Sequence, residues 1–262
     1  MVDAVIAGQL IRYDDMGGDG PVLVFSHAFG MNGSMFAPQI AAFGDRYRCV
    51  TWNARGHQGS PASRPFDFWD SARDLIGLLD HLRIERAVLV GTSQGGFAAM
   101  RAALTAPERV AGLVVLGSSA AAEAPEQRIA FRQTMDAFDA DPAAGPPEEV
   151  LDGMAYVCLG EHDATLWKDL WREWPADQAD RAITALIDRD DIVARLDEIT
   201  APALVMHGAD DHSYAPDLGR QIAHGVADCR GFDVVDGGAH FLSLTDAAPV
   251  NAAMARFLDG IG

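Results

Sequence analysis

The chain has 262 residues, 49% of them hydrophobic, and a formal net charge of −18. This size fits one large domain, or a core with one insertion. The negative charge excludes nucleic acid and anionic membrane surfaces as expected partners, because both are bound through basic patches. No apolar run approaches the length needed to span a bilayer, so no membrane segment is predicted.

The N-terminus and the cysteines indicate a compartment. A basic start followed by a long apolar stretch is absent, so the sequence predicts no secretory signal. Cys49, Cys158 and Cys229 are widely spaced, and none belongs to a Cys-x-x-Cys pair. Scattered cysteines suit a reducing compartment and argue against a disulfide framework or a zinc site. We therefore expect a cytoplasmic protein without a metal ion.

The first half of the chain alternates between strand and helix patterns. Residues 4–13 alternate apolar and polar side chains before a Gly-rich turn, which predicts edge strands. Helical periodicity covers 67–83. Buried parallel strands are predicted where the chain runs continuously apolar, at 22–25, 49–52, 88–90 and 113–116. Strands that alternate with helices favour a parallel, doubly wound sheet.

Residues 119–198 interrupt this alternation. They contain no convincing strand pattern, are rich in Ala, Glu, Asp and Arg, and are punctuated by Gly and Pro. The alternation then resumes with strands at 203–206 and 232–235 and helices at 215–224 and 246–259. The pattern therefore predicts a helical lid, 119–198, inserted into a core made of residues 1–118 and 199–262.

The strongest motif lies at the end of the strand predicted at 88–90. An apolar run stops at Gly-x-Ser-x-Gly, residues 91–95, and a helix-forming stretch follows at once. This places Ser93 at the apex of a sharp strand–helix turn. A Cβ at Gly91 or Gly95 would crowd the neighbouring backbone. Ser93 is the predicted nucleophile, because N–H groups at a helix N-terminus favour a developing oxyanion there.

A serine nucleophile needs a base, and the base needs an orienting acid. After a strand–serine–helix turn, the acid and then the histidine come later in the chain. Of the eight histidines, His240 follows the last predicted strand in a Gly-rich loop, where sites of α/β proteins lie. Asp210 and Asp211 compete as the acid after the preceding strand, and Asp211 is favoured by its distance from the turn glycine. His207, at the end of that strand, is predicted to be packed rather than catalytic.

An oxyanion would need two backbone N–H donors beside the serine. One is predicted from Gln94, the residue after the nucleophile, and the other from Phe29, in the loop after the first long parallel strand. The neighbouring His27 is predicted to hold that loop structurally.

Three tryptophans in the predicted lid recur with helical spacing, at 167, 171 and 174. Two interpretations remain open. The aromatic stripe packs the lid onto the core, or at least one tryptophan lines an apolar substrate pocket. Trp167, Trp171 and Phe241 are the candidate substrate-binding residues.

Together these residues resemble the α/β-hydrolase superfamily over nearly the whole chain. The resemblance rests on the loop 26–30, the segment 53–60, the Ser93 turn, and the loops 208–211 and 238–241. It implies a mostly parallel, eight-stranded, doubly wound sheet with a helical lid, and catalytic roles for Ser93, Asp211 and His240. The chain is most similar to small bacterial esterases, 3-oxoadipate enol-lactone hydrolases and cofactor-free haloperoxidases.

The expected activity is hydrolysis of a small carboxylic ester or lactone through an acyl-enzyme, with no cofactor and no metal. Two positions depart from the family pattern: Ala28 stands where glycine is common, and Gln58 stands where the family has glycine directly after Arg-Gly-His. The alternatives are carbon–carbon bond hydrolysis or perhydrolysis by the same residues, and a ligand receptor that turns over slowly. The sequence predicts no oligomeric state.

Overall fold

Eight strands form one sheet in the computed structural model, which describes residues 1–141 and 143–261. In chain order they are β1 (Val2–Ile6), β2 (Gln9–Asp15), β3 (Val22–Ser26), β4 (Arg48–Asn53), β5 (Ala87–Thr92), β6 (Val110–Leu116), β7 (Ala203–Gly208) and β8 (Cys229–Val235). Across the sheet the order is β1-β2-β4-β3-β5-β6-β7-β8. The pairs β1–β2 and β2–β4 are antiparallel and the others parallel. The predicted fold class is confirmed.

Helices cover the sheet and follow most of its strands. In chain order they are α1 (Ala37–Phe43), α2 (Phe68–His81), α3 (Gln94–Thr105), α4 (Pro125–Phe138), α5 (Glu148–Leu159), α6 (Thr165–Arg172), α7 (Ala176–Ile187), α8 (Pro216–Gly225), α9 (Leu242–Thr245) and α10 (Ala247–Ile261). Short 3-10 turns lie at Gly33–Phe36, Pro107–Arg109 and Val193–Glu198. Within the described ranges, none of these helices is long and apolar enough to cross a membrane.

The centre of the sheet is buried on both faces. Every residue of β5 and β7 is buried, as expected for parallel strands with helices on both sides. The strands β3, β5, β6, β7 and β8 run in the same direction, so their carboxyl ends meet at one edge of the sheet. The loops that leave this edge bring residues from distant parts of the sequence together, and they carry the site described below.

The helices α4 to α7 lie between β6 and β7, and we call residues 119–198 the helical insertion. Its described residues contain no strand. Trp167, Trp171 and Trp174 are all buried. The indole Nε1 of Trp171 donates to the carbonyl of Gly30 at 2.9 Å, and that of Trp174 donates to the carbonyl of Gly56 at 2.7 Å. Two indole groups therefore bond this insertion directly to loops of the core.

Candidate active site

Ser93 occupies a strained turn between β5 and α3. Its backbone has φ 54° and ψ −118°, a conformation that L-residues rarely adopt. The turn is tight on both sides: a Cβ at Gly95 would lie 2.0 Å from the carbonyl oxygen of Ser26, and one at Gly91 would lie 2.3 Å from the carbonyl carbon of Gly95. Only glycine fits at these two positions, as the sequence predicted.

Ser93, His240 and Asp211 form a continuous chain of hydrogen bonds. The Oγ atom of Ser93 lies 3.0 Å from Nε2 of His240, and Nδ1 of His240 lies 2.8 Å from Oδ2 of Asp211. Since a carboxylate only accepts, the His240 proton is on Nδ1, and Nε2 is free to accept the serine proton. The competing Asp210 is exposed, and its backbone N–H donates to the carbonyl of Gly238 at 3.0 Å.

The carboxylate of Asp211 is fully buried and saturated with donors. Oδ1 accepts the backbone N–H groups of Ser213 and Tyr214, both at 2.8 Å. Oδ2 accepts from Nδ1 of His240 at 2.8 Å and lies 3.1 Å from Nε2 of His207, whose single proton also faces the carbonyl of Tyr214 at 2.9 Å. Burial alone would raise the pKa of Asp211, but the neighbouring His240 and these hydrogen bonds outweigh it and hold the pKa below its usual value. Asp211 therefore stays ionised beside His240.

The loop after β6 supports this arrangement from behind. Gly117 has φ 52°, and a Cβ there would lie 2.6 Å from the carbonyl oxygen of His240. The next residue, Ser118, donates from its Oγ to the carbonyl of Ser93 at 2.8 Å. Gly117 therefore allows the backbone of His240 to approach closely, and Ser118 holds the backbone of Ser93. Neither residue was predicted from the sequence to have a role.

The two predicted oxyanion donors lie on adjacent segments. Gln94 is the first residue of α3, and Phe29 is in the loop that follows Ser26 at the end of β3. Among the described residues, neither backbone N–H has a hydrogen-bond partner. Ala28, where the family commonly has glycine, is not among the residues with positive φ, so its side chain introduces no backbone strain.

A pair of buried histidines lies behind this loop. His27 Nδ1 donates to the carbonyl of Ala28 at 2.8 Å, and its Nε2 accepts the N–H of Ala54 at 2.9 Å. His57 lies 4.8 Å away between ring centroids, and its Nε2 accepts from the side-chain amide of Gln94 at 3.2 Å. Burial lowers the pKa of His27 to about 4. Burial, and then the proximity of His27, lower the pKa of His57 well below its usual value. Both rings are therefore neutral.

A cavity of about 550 Å³ opens beside Ser93 and His240. This volume is typical of a site for a small organic molecule. It lies between the helical insertion and the carboxyl edge of the sheet, and most of its lining is apolar. Side chains from the insertion that line it include Phe131, Met135, Val150, Met154, Val157 and Leu186.

Only one of the three candidate substrate-binding residues lies at the cavity. Phe241 lines the cavity beside His240. Trp167 and Trp171 do not line it, and this part of the prediction is corrected. Trp171 is fully buried against the core, where its indole N–H donates a hydrogen bond to the carbonyl of Gly30. Trp167 lies on the same helix face and is 5% exposed. Of the two interpretations of the aromatic stripe, packing of the insertion onto the core fits these positions.

The cavity contains a second possible nucleophile, the thiol of Cys158. Burial, and then the charge of Asp211, raise the pKa of Cys158 to about 12. The thiol therefore stays protonated and is a poor nucleophile. Over residues 1–141 and 143–261 we find no group of three His, Cys, Asp or Glu side chains placed to hold a metal ion.

Comparison with known proteins identifies the class to which this fold and site belong. The family model described as the alpha/beta hydrolase fold matches residues 21–247. The chain belongs to this family.

Relatives within the family carry several activities in their names. A Variovorax paradoxus protein with the provisional name carbamate hydrolase RutD is 29% identical over 247 residues, or 92% of each chain. The 3-oxoadipate enol-lactonase 2 of Acinetobacter baylyi is 38% identical over 103 residues, or 39% of each chain. The crystal structure of the enol-lactonase from Burkholderia xenovorans has a TM-score of 0.87 at 22% identity, over 98% of this chain and all of that one. These relatives support hydrolase activity, and the structural match shows the fold.

Proposed function

We propose that the protein is a serine hydrolase that cleaves a small carboxylic ester or lactone through an acyl-enzyme on Ser93. The observation that carries the proposal is the chain of hydrogen bonds from Ser93 through His240 to Asp211, at 3.0 and 2.8 Å. These distances lie within the reach required for proton transfer to a general base. The strained serine at the start of α3 adds the geometry expected of a nucleophile.

In the proposed acylation, Ser93 Oγ attacks the carbonyl carbon while its proton passes to Nε2 of His240. The N–H groups of Phe29 and Gln94 donate to the oxyanion that forms. The carbon–oxygen bond to the leaving group then breaks, and the alkoxide leaves with the proton from His240. Asp211 holds Nδ1–H and stabilises the imidazolium throughout.

Deacylation repeats these steps with water as the nucleophile. The water oxygen attacks the acyl carbon while His240 takes a proton from the water. The second tetrahedral intermediate then collapses. Ser93 Oγ leaves and recovers its proton from His240, and the carboxylic acid is released. We further propose that the helical insertion, residues 119–198, acts as a lid that shields the acyl-enzyme and shapes the acyl site.

The first test is hydrolysis of p-nitrophenyl acetate, butyrate and octanoate by the wild-type protein and Ser93→Ala in parallel. We expect sustained turnover by the wild type and a loss of about 10⁴-fold or more in the variant. A burst of nitrophenol without turnover would favour a receptor or a deacylation-defective site. Equal rates for the two proteins would refute the role of Ser93.

A further inference from the structure

The described lining of the cavity beside Ser93 includes an acidic side chain but no basic Lys or Arg. Apart from the hydrogen-bonded residues Ser93 and His240, its described lining contains one acidic side chain, the exposed carboxylate of Glu149. No Lys or Arg is among the described lining residues. The remaining polar groups of this lining are the protonated thiol of Cys158 and the neutral side chains of Gln133, Thr134, Ser213 and Tyr214.

The cations of the helical insertion are engaged elsewhere. This segment contains 19 Asp and Glu residues but only seven Lys and Arg residues. Each of the seven cations forms an ion pair with a carboxylate. The pairs are Arg128–Asp188, Arg132–Asp180, Lys168–Glu148, Arg172–Glu148, Arg181–Asp177, Arg189–Glu123 and Arg195–Glu198. A negatively charged substrate group would therefore find no uncommitted cation here.

An anionic substrate group would be destabilised in this cavity for two reasons. A carboxylate that leaves water for an apolar lining loses its hydration without gaining a partner. The excess of carboxylates on the insertion adds a repulsive field, because clefts lined by one sign of charge concentrate that field. An apolar chain meets neither cost, and burial of each CH₂ group is favourable.

We propose that the cavity selects uncharged esters or lactones with an apolar chain and rejects substrates that carry a second, free carboxylate. The inference rests on the proposed serine hydrolase function and specifies its substrate class. One neutral diester provides a sharp test, because its first hydrolysis creates the anionic half-ester. With dimethyl adipate, the reaction should stop at monomethyl adipate.

The experiment incubates the wild-type protein with dimethyl adipate, monomethyl adipate or methyl hexanoate and follows the products by chromatography. We expect hydrolysis of the two neutral compounds and a kcat/KM for monomethyl adipate at least about tenfold lower, equivalent to 1.4 kcal/mol or more. Conversion of dimethyl adipate to adipate at similar rates in both steps would overturn the inference.

Two single-charge variants test whether the cavity itself discriminates. Glu149→Gln removes the carboxylate from the lining. In this variant we expect the kcat/KM for monomethyl adipate, relative to that for the neutral esters, to rise about threefold or more. Glu161→Gln makes the same charge change at an exposed site outside the cavity lining and should leave this ratio unchanged. An equal effect of the two variants would assign the discrimination to net charge and refute selection by the cavity.

The failure of this inference is distinguishable from failure of the proposed function. If the wild-type protein hydrolyses neither neutral methyl ester nor any p-nitrophenyl ester, or if Ser93→Ala is equally active, the serine hydrolase function itself fails. If Ser93-dependent hydrolysis occurs but proceeds equally well on the anionic half-ester, only the substrate class is wrong.

Discussion

The Nε2 atom of His207 lies 3.1 Å from Oδ2 of Asp211, the same oxygen that accepts the hydrogen bond of His240. It also lies 2.9 Å from the carbonyl oxygen of Tyr214. Both neighbours are acceptors, so His207 carries its proton on Nε2. Its other ring nitrogen is buried and has no hydrogen-bond partner among the described residues. Asp211 is thus held between two histidines, and His207 is a positioning residue.

Replacing His207 by Phe removes this donor while keeping an aromatic ring. The carboxylate of Asp211 then loses part of its stabilisation and holds the proton on His240 more strongly. We expect the acidic limb of the pH profile of kcat/KM to move to higher pH. His207→Gln keeps an N–H donor and should restore much of the wild-type profile. Loss of thermal stability without movement of the limb would assign His207 a packing role only.

The strain at Ser93 predicts a separation of stability from activity. Ser93→Ala keeps the positive φ and should unfold at nearly the wild-type denaturant concentration while losing turnover. Ser93→Gly relieves a backbone conformation that costs on the order of 1–3 kcal/mol, partly offset by the greater entropy of the unfolded glycine chain. We therefore expect the glycine variant to be the more stable of the two by about 1 kcal/mol in urea denaturation. Equal midpoints would show that the turn stores no such strain.

The hydrogen bond from the Trp171 indole to the Gly30 carbonyl connects the helical insertion with the loop that carries Phe29. Trp171→Phe leaves the Gly30 carbonyl without its donor, at a cost of about 1–3 kcal/mol in stability. Because Phe29 is the adjacent residue, we expect kcat for p-nitrophenyl butyrate to fall more than KM rises. Trp167→Phe is the matched control, because it trims a buried ring on the same helix that has no hydrogen-bond partner within residues 1–141 and 143–261. Equal losses of kcat in both variants would contradict this coupling.

The neutral histidines behind the oxyanion loop predict a pH-dependent stability. In the unfolded chain His27 takes up a proton near its usual pKa of 6.5, but in the folded protein only near 4. The unfolded state therefore binds more protons between these values, so stability is complete above pH 6.5 and falls as the pH decreases towards 4. The shift corresponds to about 3 kcal/mol for His27, and His57 adds to it.

Urea denaturation at several values between pH 7 and pH 4.5 measures this effect. His27→Gln should reduce the slope of the unfolding free energy against pH by about 1.4 kcal/mol per pH unit in the middle of the window, the contribution of one proton. A variant with the wild-type slope would show that His27 is protonated in the folded protein.

The local motifs made much of the fold and site predictable. Continuous apolar runs marked the parallel strands, and the chain order of serine, acid and histidine pointed to Ser93, Asp211 and His240, which the structure brings within hydrogen-bond distance. Such patterns are readable because strand burial and turn geometry each restrict the residue type at a fixed position.

Other parts of the site depend on contacts between distant segments. The sequence could place His207 at a strand end but not show that its Nε2 points to Asp211. The spacing of Trp167 and Trp171 defined a helix face, and only packing decided whether that face met the cavity or the core. The one available signal for His207 was its position four residues before the predicted acid.

Ser26 approaches Gly95 closely, and contacts of this kind set the shape of the turn. The chemistry of the turn depends on a different residue, the one at position 93. The conformation at residue 93 is imposed by backbone contacts at Gly91 and Gly95, and the side chain at 93 contributes none of them. An engineer who wishes to change the reaction would therefore vary residue 93 and the cavity wall. If residues 91 and 95 were randomised instead, most variants in the library could not form the turn.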